Sequence, residues 1–248
     1  MTLPADARLI VRCGRVESTQ PIAFALAGDG APDRTVVVAD SQAAGRGRRG
    51  RVWQDEPGAS LLVSIVLRPR LPPARLPTLS LTAGVALAEA LAGTAALAAR
   101  LKWPNDVLVD GRKLAGILLE SRLEPAGSAA PIVALGIGVN LAQRAFPPEL
   151  AERATSVRLA GGRAVDRDTL LAALLERLDH WRGRLETEGF EPVRVRWREL
   201  ADTLGRAVSV DGIHGVAVDV DDDGALLVED EHRVRRRVVA GDVVEARA

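Results

Sequence analysis

The chain has no tyrosine, one cysteine and three histidines among its 248 residues, and aromatic residues make up 3% of it. The lone cysteine, Cys13, has no partner for an internal disulfide, and the histidines show no spacing typical of a metal site. The scarcity of aromatic rings leaves few platforms on which nucleic-acid bases could stack. Lysine plus arginine and aspartate plus glutamate balance at 33 each, so there is no overall basic field to collect nucleic acid or membrane lipid.

The N-terminus also lacks the basic segment and following apolar segment of a secretory signal, and no apolar run is predicted to span a bilayer. We therefore expect a cytoplasmic protein. An apolar fraction of 47% is ample for a sizeable core in one or two domains.

The most unusual stretch, which we term the arginine loop, comprises residues 45–53. It contains three glycines and four arginines, namely Gly45, Gly47, Gly50, Arg46, Arg48, Arg49 and Arg51. Glycines let backbone N–H groups approach an anion closely, and guanidinium groups match phosphate and carboxylate oxygens. Similar runs occur in disordered RNA-binding segments. Here the run lies between two β-type segments, residues 35–39 and 60–67, which favours an anion-binding loop inside a folded domain.

Capping and periodicity predict the main elements. Ser18 or Thr19 is expected to cap a first helix, and Asp166 to cap a long helix ending near Glu188. Further predicted elements are a buried helix at residues 76–92, a hairpin turned by Asp110 and Gly111, a polar loop at residues 124–130 and a helix at residues 192–201. From Leu204 onward short strands predict a small β-barrel, and we place a boundary between domains 1–202 and 203–248.

Two further motifs accompany the arginine loop. The first is Lys102-Trp103-Pro104-Asn105-Asp106, followed by the hairpin return that carries Lys113. The second is Gly136-Ile137-Gly138-Val139-Asn140, whose glycines allow close approach to a strand. Taken singly, each has an ordinary structural alternative: Lys113 a solvated hairpin residue, Trp103 a core residue and Asn140 a turn cap.

Together, in this order and spacing, these motifs resemble those of bacterial biotin protein ligases. The resemblance implies an α/β (α+β) fold: a class II synthetase-like catalytic domain with a mixed sheet, and a C-terminal SH3-like β-barrel. It implies that biotin is activated with ATP to biotinyl-5′-AMP and passed to a lysine of a biotin carboxyl carrier protein domain of a biotin-dependent carboxylase. Many family members carry an N-terminal DNA-binding domain; here we expect a monofunctional ligase without one, which binds neither specific DNA nor membrane.

The resemblance also assigns roles to residues. Catalytic roles fall to Lys113, Arg48 and Asp106. The implied biotin-binding residues are Ser18, Thr19, Gln42, Gly45, Arg46 and Lys113. The implied ATP- and adenylate-binding residues are Arg46, Arg48, Arg49, Trp53, Lys102, Asn105 and Asn140. No protein-bound metal is expected, and Mg²⁺ is expected to arrive with ATP.

Several alternatives remain at this point. A lipoate-type ligase shares the implied fold, and a nucleic-acid-binding protein could use the arginine loop together with residues 233–237, which otherwise form a charged sheet edge. Asp106 is either the base that assists transfer or a turn residue that bonds turn amides or pairs with Lys102. The loop is expected to be mobile without ligand, because it is rich in glycine and its four arginines would repel one another with no anion between them.

Overall fold

A computed structural model describes residues 8–122 and 131–245, so the loop predicted at residues 124–130 lies outside the described residues. Its main feature is a seven-stranded sheet in the order β1-β2-β5-β9-β8-β7-β6. The strands are β1 (Ile10–Val16), β2 (Val36–Gln42), β5 (Ser60–Leu67), β6 (Arg100–Lys102), β7 (Asp106–Val109), β8 (Arg112–Arg122) and β9 (Ile132–Asn140). Strands β1 and β2 are parallel and the other neighbours antiparallel, which confirms the predicted mixed sheet.

Two short strands, β3 (Gly45–Arg46) and β4 (Val52–Trp53), pair with each other and contain the arginine loop. Between β7 and β8 the chain turns at Asp110 and Gly111, with φ of 50° and 72°. Positive φ at both central residues is the geometry that the twist of a two-residue hairpin requires, as Asp-Gly predicts.

The helices are α1 (Thr19–Gly28), α2 (Thr78–Ala95), α3 (Pro148–Ala151), α4 (Arg167–Glu188) and α5 (Glu191–Leu200). Two caps follow the sequence. The Ser18 side chain accepts from Gln20 N, and Asp166 Oδ1 accepts from Thr169 N at 2.8 Å. Helix α2 is displaced by two to three residues from its predicted bounds, while α4 ends at Glu188 as expected.

Side chains alternate in direction along each strand. Because the strands are apolar at successive positions, both faces of the sheet carry apolar side chains, and helices cover both. Helix α1 packs with Val37, Val66 and Ala134 on one face. The neighbouring strand residues Val36, Val38, Ile65, Leu67, Val133 and Leu135 belong to the larger core on the other face, which also holds α2, α4 and α5. Residues 73–95 are long and apolar enough in composition to cross a membrane, but 72% of that window is buried inside the molecule.

A second, antiparallel sheet has the order β13-β12-β11-β10-β14. Its strands are β10 (Ala207–Val210), β11 (Ile213–Val220), β12 (Leu226–Glu229), β13 (Arg235–Val238) and β14 (Val244–Glu245). Trp103 joins it to the part of the chain that contains the large sheet: its backbone N–H donates to Thr203 Oγ1 at 2.8 Å and its Nε1 to Gly224 O at 3.0 Å. Because Trp103 is only 2% exposed, it packs at this junction, as predicted.

Candidate active site

A cavity of about 650 Å³ opens on the α1 face of the large sheet. Its floor follows from the two-residue period of β9. Ala134 packs under α1, and the next residues of the same face, Gly136, Gly138 and Asn140, line the cavity. Glycines at two of these positions remove the side chains that would otherwise fill the space, and a cleft of this size suits a small organic ligand.

Buried polar groups surround the inner end of the cavity. Gln42 Oε1 accepts from Thr19 N at 2.7 Å and from Thr19 Oγ1 at 3.1 Å. The Thr19 hydroxyl also lies 2.7 Å from Ser64 Oγ. Ser18, which caps α1, is 6% exposed and lines the same space. The structure therefore brings together three of the residues that the resemblance assigned to biotin binding, Ser18, Thr19 and Gln42.

The outer end of the cavity is formed by the β7–β8 hairpin. Lys113 Nζ and Asp106 Oδ1 form an ion pair at 2.6 Å, and Lys102 and Asn105 line the cavity beside them. Asn105 is held in place because its Nδ2 donates to Ile117 O at 2.7 Å. The main chain of Lys113 bonds to the segment after α3, donating to Arg153 O and accepting from Thr155 N. These bonds anchor the backbone of Lys113, while its side chain is 35% exposed and paired with Asp106.

Trp53 closes the cavity from the side of the arginine loop. A Cβ on Gly138 would come within 2.7 Å of the Trp53 ring, and one on Gly116 within 3.1 Å. Lys113 Nζ lies 5.9 Å from the centroid of the same ring, within reach of a cation–π contact. The indole therefore rests directly on the glycine floor, and the ligand-proximal role of Trp53 stays a prediction.

Each of the four loop arginines has an acidic partner, which the sequence did not predict, and these carboxylates offset the expected mutual repulsion. The mobility of the loop without ligand stays a prediction. Arg46 pairs with Glu120 of β8 at 3.2 Å. The other three reach the C-terminal sheet: Arg49 Nη2 bonds Asp211 at 2.8 Å, Arg51 pairs with Asp242, and Arg48 Nη1 lies 3.8 Å from Asp242 and 3.1 Å from Gly241 O. The carboxylates offset the positive charge and dock the loop on the second domain.

Local environment shifts two of these guanidinium groups in opposite directions. Burial lowers the pKa of Arg48 from its usual value, against the opposing charge of Asp242. The hydrogen bond that Arg49 donates to Asp211 raises the pKa of Arg49. Both remain charged at working pH, since arginine does not lose its proton in proteins.

Asn140 is 4% exposed, and both ends of its amide have protein partners. Its Nδ2 donates to Thr155 O at 3.0 Å, and its Oδ1 accepts from Gln143 Nε2 at 3.3 Å. Each end keeps one further bonding position, because an amide nitrogen has two protons and an amide oxygen two lone pairs. Its assigned role in binding ATP and the adenylate stays a prediction.

Most of the residues assigned from the sequence line this one cavity. They are Ser18, Thr19, Gln42, Arg46, Arg48, Trp53, Lys102, Asn105, Asp106, Lys113 and Asn140. Gly45 and Arg49 instead line a second depression behind the arginine loop. Sequence reasoning missed the cavity residues Gln20, Ser64 and Asp242. Of these three, only Ser64 could have been recognised from the sequence, as a polar residue within an otherwise apolar strand.

Within residues 8–122 and 131–245, no cluster of three or more histidine, cysteine, aspartate or glutamate side chains could hold a metal ion. Arginines 235 to 237 of β13 also have acidic partners, among them Glu229, Asp230 and Asp223. The charge available for nucleic acid at this sheet edge is correspondingly small.

A cationic cleft that leads into a buried polar pocket, on a mixed sheet, defines an α/β enzyme that can hold a small organic acid beside a phosphate ester. The sequence profile of the Biotin/lipoate A/B protein ligase family matches residues 14–140. The profile of the biotin protein ligase C-terminal domain matches residues 203–244.

Individual relatives agree with these matches. The biotin--[acetyl-CoA-carboxylase] ligase of Paracoccus denitrificans is 40% identical over 223 residues, which cover 86% of this chain and 91% of the relative. The bifunctional ligase/repressor of Bacillus spizizenii is 37% identical over 225 residues, covering 89% of this chain and 69% of the relative. A solved biotin protein ligase from Aquifex aeolicus, in complex with biotin and ATP, superposes with a TM-score of 0.82 at 28% identity, covering 97% of this chain and 99% of that one. The chain belongs to the biotin protein ligase family.

Proposed function

We propose that the protein is an ATP-dependent biotin protein ligase that activates biotin to biotinyl-5′-AMP and transfers the biotinyl group to a lysine of a biotin carboxyl carrier protein domain. The observation that carries the proposal is the continuity of the cavity. Its inner end offers Thr19, Gln42 and Ser64 to a polar ring, and its outer end offers Lys113 and Arg48 to anions.

In the first step a biotin carboxylate oxygen bonds to the α-phosphorus of ATP, and the bond from that phosphorus to the bridging oxygen of the leaving pyrophosphate breaks. Two like unit charges about 4 Å apart repel by roughly 4 kcal/mol at an effective dielectric of 20. The cations of the cleft offset this repulsion. Both side chains have partners at the cleft without substrate, Lys113 in Asp106 and Arg48 in Asn105 and Gly241, so little reorganisation is required.

In the second step the amine of the acceptor lysine attacks the biotinyl carbonyl, the carbonyl–O bond to AMP breaks, and the amine loses a proton. Asp106 lies beside Lys113 at the cleft and is the proposed acceptor of that proton. The arginine loop and Trp53 cover the cleft and would shield the mixed anhydride from water.

Mg²⁺ is proposed to enter with ATP as part of the substrate. Magnesium in such sites is held by phosphate oxygens and waters with few protein ligands. That mode fits a cavity whose carboxylates Asp106 and Asp242 are already paired with cations.

Asn140, Lys102, Asn105, Arg46 and Trp53 are proposed to hold the nucleotide, since they line the cavity around the reacting end. Gly45 and Arg49, which lie behind the loop, are proposed to act through its closure. A cytoplasmic location is also proposed, and the single cysteine is compatible with a reducing compartment.

Mass spectrometry tests the proposal directly. A recombinant carboxyl carrier domain is incubated with the protein, Mg-ATP and either biotin or lipoic acid. The expected result is one biotinyl addition, absent without ATP and absent when the acceptor lysine is replaced by arginine. A lipoyl addition with no biotinyl addition would instead establish the lipoate-type alternative.

A further inference from the structure

Gln143, a buried glutamine just after β9, lies behind the cavity and bonds to one of the residues that line it. The residue is 3% exposed and is not itself part of the cavity lining. Its Nε2 donates to Ser60 Oγ at 2.6 Å and to Asn140 Oδ1 at 3.3 Å. Ser60 and Asn140 lie directly opposite each other on β5 and β9. The glutamine amide therefore bridges two paired strands at the point where Asn140 reaches the cavity.

The hydrogen bonds of Asn140 determine the orientation of its amide. Thr155 O can only accept, so the Asn140 nitrogen, 3.0 Å away, must face it. The Asn140 oxygen then faces Gln143 Nε2, which supplies the matching proton. Thr155 is itself held by the backbone of Lys113, since Thr155 N donates to Lys113 O at 2.9 Å. Without the bond from Gln143, the Asn140 amide would be held at its nitrogen only.

Further bonds hold Gln143 in place. Ser156, which is fully buried, donates from Oγ to Gln143 O at 2.8 Å and accepts from Leu159 N at 3.1 Å. Both protons of Gln143 Nε2 are used, one on Ser60 and one on Asn140. A side chain that is held by its own bonds and packing can in turn hold a residue that touches a ligand.

We propose that Gln143 is a positioning residue for the nucleotide: it holds the amide of Asn140 in one orientation and so determines where the cavity presents a donor and where an acceptor. The proposal rests on the proposed function, in which Asn140 holds the nucleotide. With its oxygen bonded to Gln143 and its nitrogen to Thr155, Asn140 keeps one proton and one lone pair for a ligand. A rotated amide would exchange the two and leave polar groups of a bound nucleotide unpaired.

The alternative is a purely structural role, in which Gln143 only stabilises the junction of β5 and β9. A structural role predicts a lower free energy of unfolding and unchanged use of ATP by the folded enzyme. A positioning role predicts a change in the use of ATP that depends on the presence of the Asn140 side chain.

The test compares the wild-type protein with Gln143→Met, which keeps the length of the side chain and removes both Nε2 bonds. Pyrophosphate release at saturating biotin gives KM and kcat for Mg-ATP, and urea unfolding without ligand gives the stability. We expect KM for ATP to rise by about tenfold. The value of kcat should stay near that of the wild type, because a contact made equally in the ground and transition states affects KM alone. Biotin affinity, measured by calorimetry without ATP, should not change.

Ser156→Ala is the matched control. It removes the bond to the Gln143 backbone and should lower stability. It leaves the bond between the Gln143 and Asn140 side chains in place, so KM for ATP should stay within about twofold of the wild-type value.

A double-mutant cycle with Asn140→Ala identifies the route of the effect. In the Asn140→Ala background there is no amide to position, so adding Gln143→Met should change KM for ATP by no more than about twofold. If Gln143→Met fails to fold, Gln143→Asn takes its place, since it withdraws the amide by one methylene and should also raise KM.

Two results would overturn the inference while leaving the proposed function standing. One is a wild-type KM for ATP in the folded Gln143 variant. The other is an equal rise in KM with and without the Asn140 side chain. If the wild-type protein released no pyrophosphate from biotin and ATP, both the inference and the proposed function would be overturned.

Discussion

Lys113 Nζ lies 2.6 Å from Asp106 Oδ1, so the proposed cation of the first step and the proposed base of the second form one ion pair. The residues occupy neighbouring strands of the β7–β8 hairpin. The pairing of Asp106 with Lys102, one of the alternatives considered for the turn, is replaced by pairing with Lys113. Replacing either residue releases the other, so the two chemical steps must be measured separately.

Lys113→Ala should slow adenylate formation by about a hundredfold or more, the typical cost of removing one preorganised charge-stabilising donor. The free energy of unfolding should change by no more than about 1 kcal/mol, because the pair is partly exposed. Pyrophosphate release reports the first quantity and urea unfolding the second. Arg112→Ala removes a charge from the adjacent position, outside the cavity lining, and should stay near the wild-type rate. A wild-type rate of pyrophosphate release in Lys113→Ala would refute its role.

Removing the acidic partners of the arginine loop should weaken its docking on the second sheet. Each such ion pair contributes about 0.2–1 kcal/mol, so replacing Asp211 and Asp242 together by asparagine should raise amide exchange of residues 45–53 a few-fold in the ligand-free protein. Added salt should have the same effect on the wild type. Asp223→Asn, which removes partners of Arg75 and Arg237, is the control. Unchanged exchange in the double variant would mean that other contacts hold the loop.

Gly138→Ala should displace Trp53, because the new Cβ would lie 2.7 Å from the indole ring. We expect ligand affinity to fall by about tenfold or more, since overpacking typically costs 1–3 kcal/mol, with Trp53 moved in a crystal structure of the variant. Gly93→Ala in α2 meets nothing within 4 Å and should stabilise the protein slightly. Full affinity in Gly138→Ala would show that the ring moves aside freely.

Asp55 provides a prediction about pH. Burial raises its pKa above the usual value, although Gln42 N–H and Arg15 oppose the shift, and its Oδ2 has no hydrogen-bond donor among the described residues. Because the folded-state pKa is raised, the folded protein is more stable with the Asp55 carboxyl protonated than with it ionised. This stabilisation is fully present below the unfolded pKa of about 3.9 and is lost as pH rises through the folded pKa. Asp55→Asn should therefore stabilise the protein at pH 7 relative to the wild type, and the gain should shrink toward pH 3.5. Urea midpoints of both proteins across this range would test it; a constant difference would contradict the assigned cause.

Local sequence signals predicted those parts of the fold that depend on neighbouring residues. The strand at residues 60–67, the cap at Asp166 and the turn at Asp110 and Gly111 all appear in the structure. Each follows from apolar runs, a capping side chain or a preference for positive φ, which act within a few residues of the chain.

The partners of the arginine loop could not be predicted in this way. Asp211 lies 162 residues from Arg49 along the chain, and its contact exists only because the second sheet docks beside the first. The predicted repulsion treated the loop as isolated, and a carboxylate from another domain changed its electrostatics. The bridge formed by Gln143 could not be predicted for a related reason: its amide bonds to Ser60 and Asn140, which become neighbours only when β5 pairs with β9.

The last prediction concerns Asp106 as the base for transfer. An acceptor lysine has an ordinary pKa of about 10.4, which is about 3.4 units above pH 7. At that pH its reactive free-amine form is therefore disfavoured by roughly 4.6 kcal/mol relative to the protonated form. Asp106→Asn should fold and still form biotinyl-adenylate, while transfer slows by about a hundredfold at pH 7, within the usual contribution of a general base.

The defect should ease as pH rises toward 10, because the amine is then already free and needs no base. Single-turnover transfer from preformed biotinyl-adenylate between about pH 7 and 10 isolates this step from the contribution of Lys113. Lys113→Ala, supplied with the same preformed adenylate, is the matched comparison, since it breaks the ion pair and keeps the carboxylate. If Asp106→Asn transferred biotin normally and lost only stability, Asp106 would be the structural partner of Lys113, and the proton of the acceptor lysine would have to leave by another route.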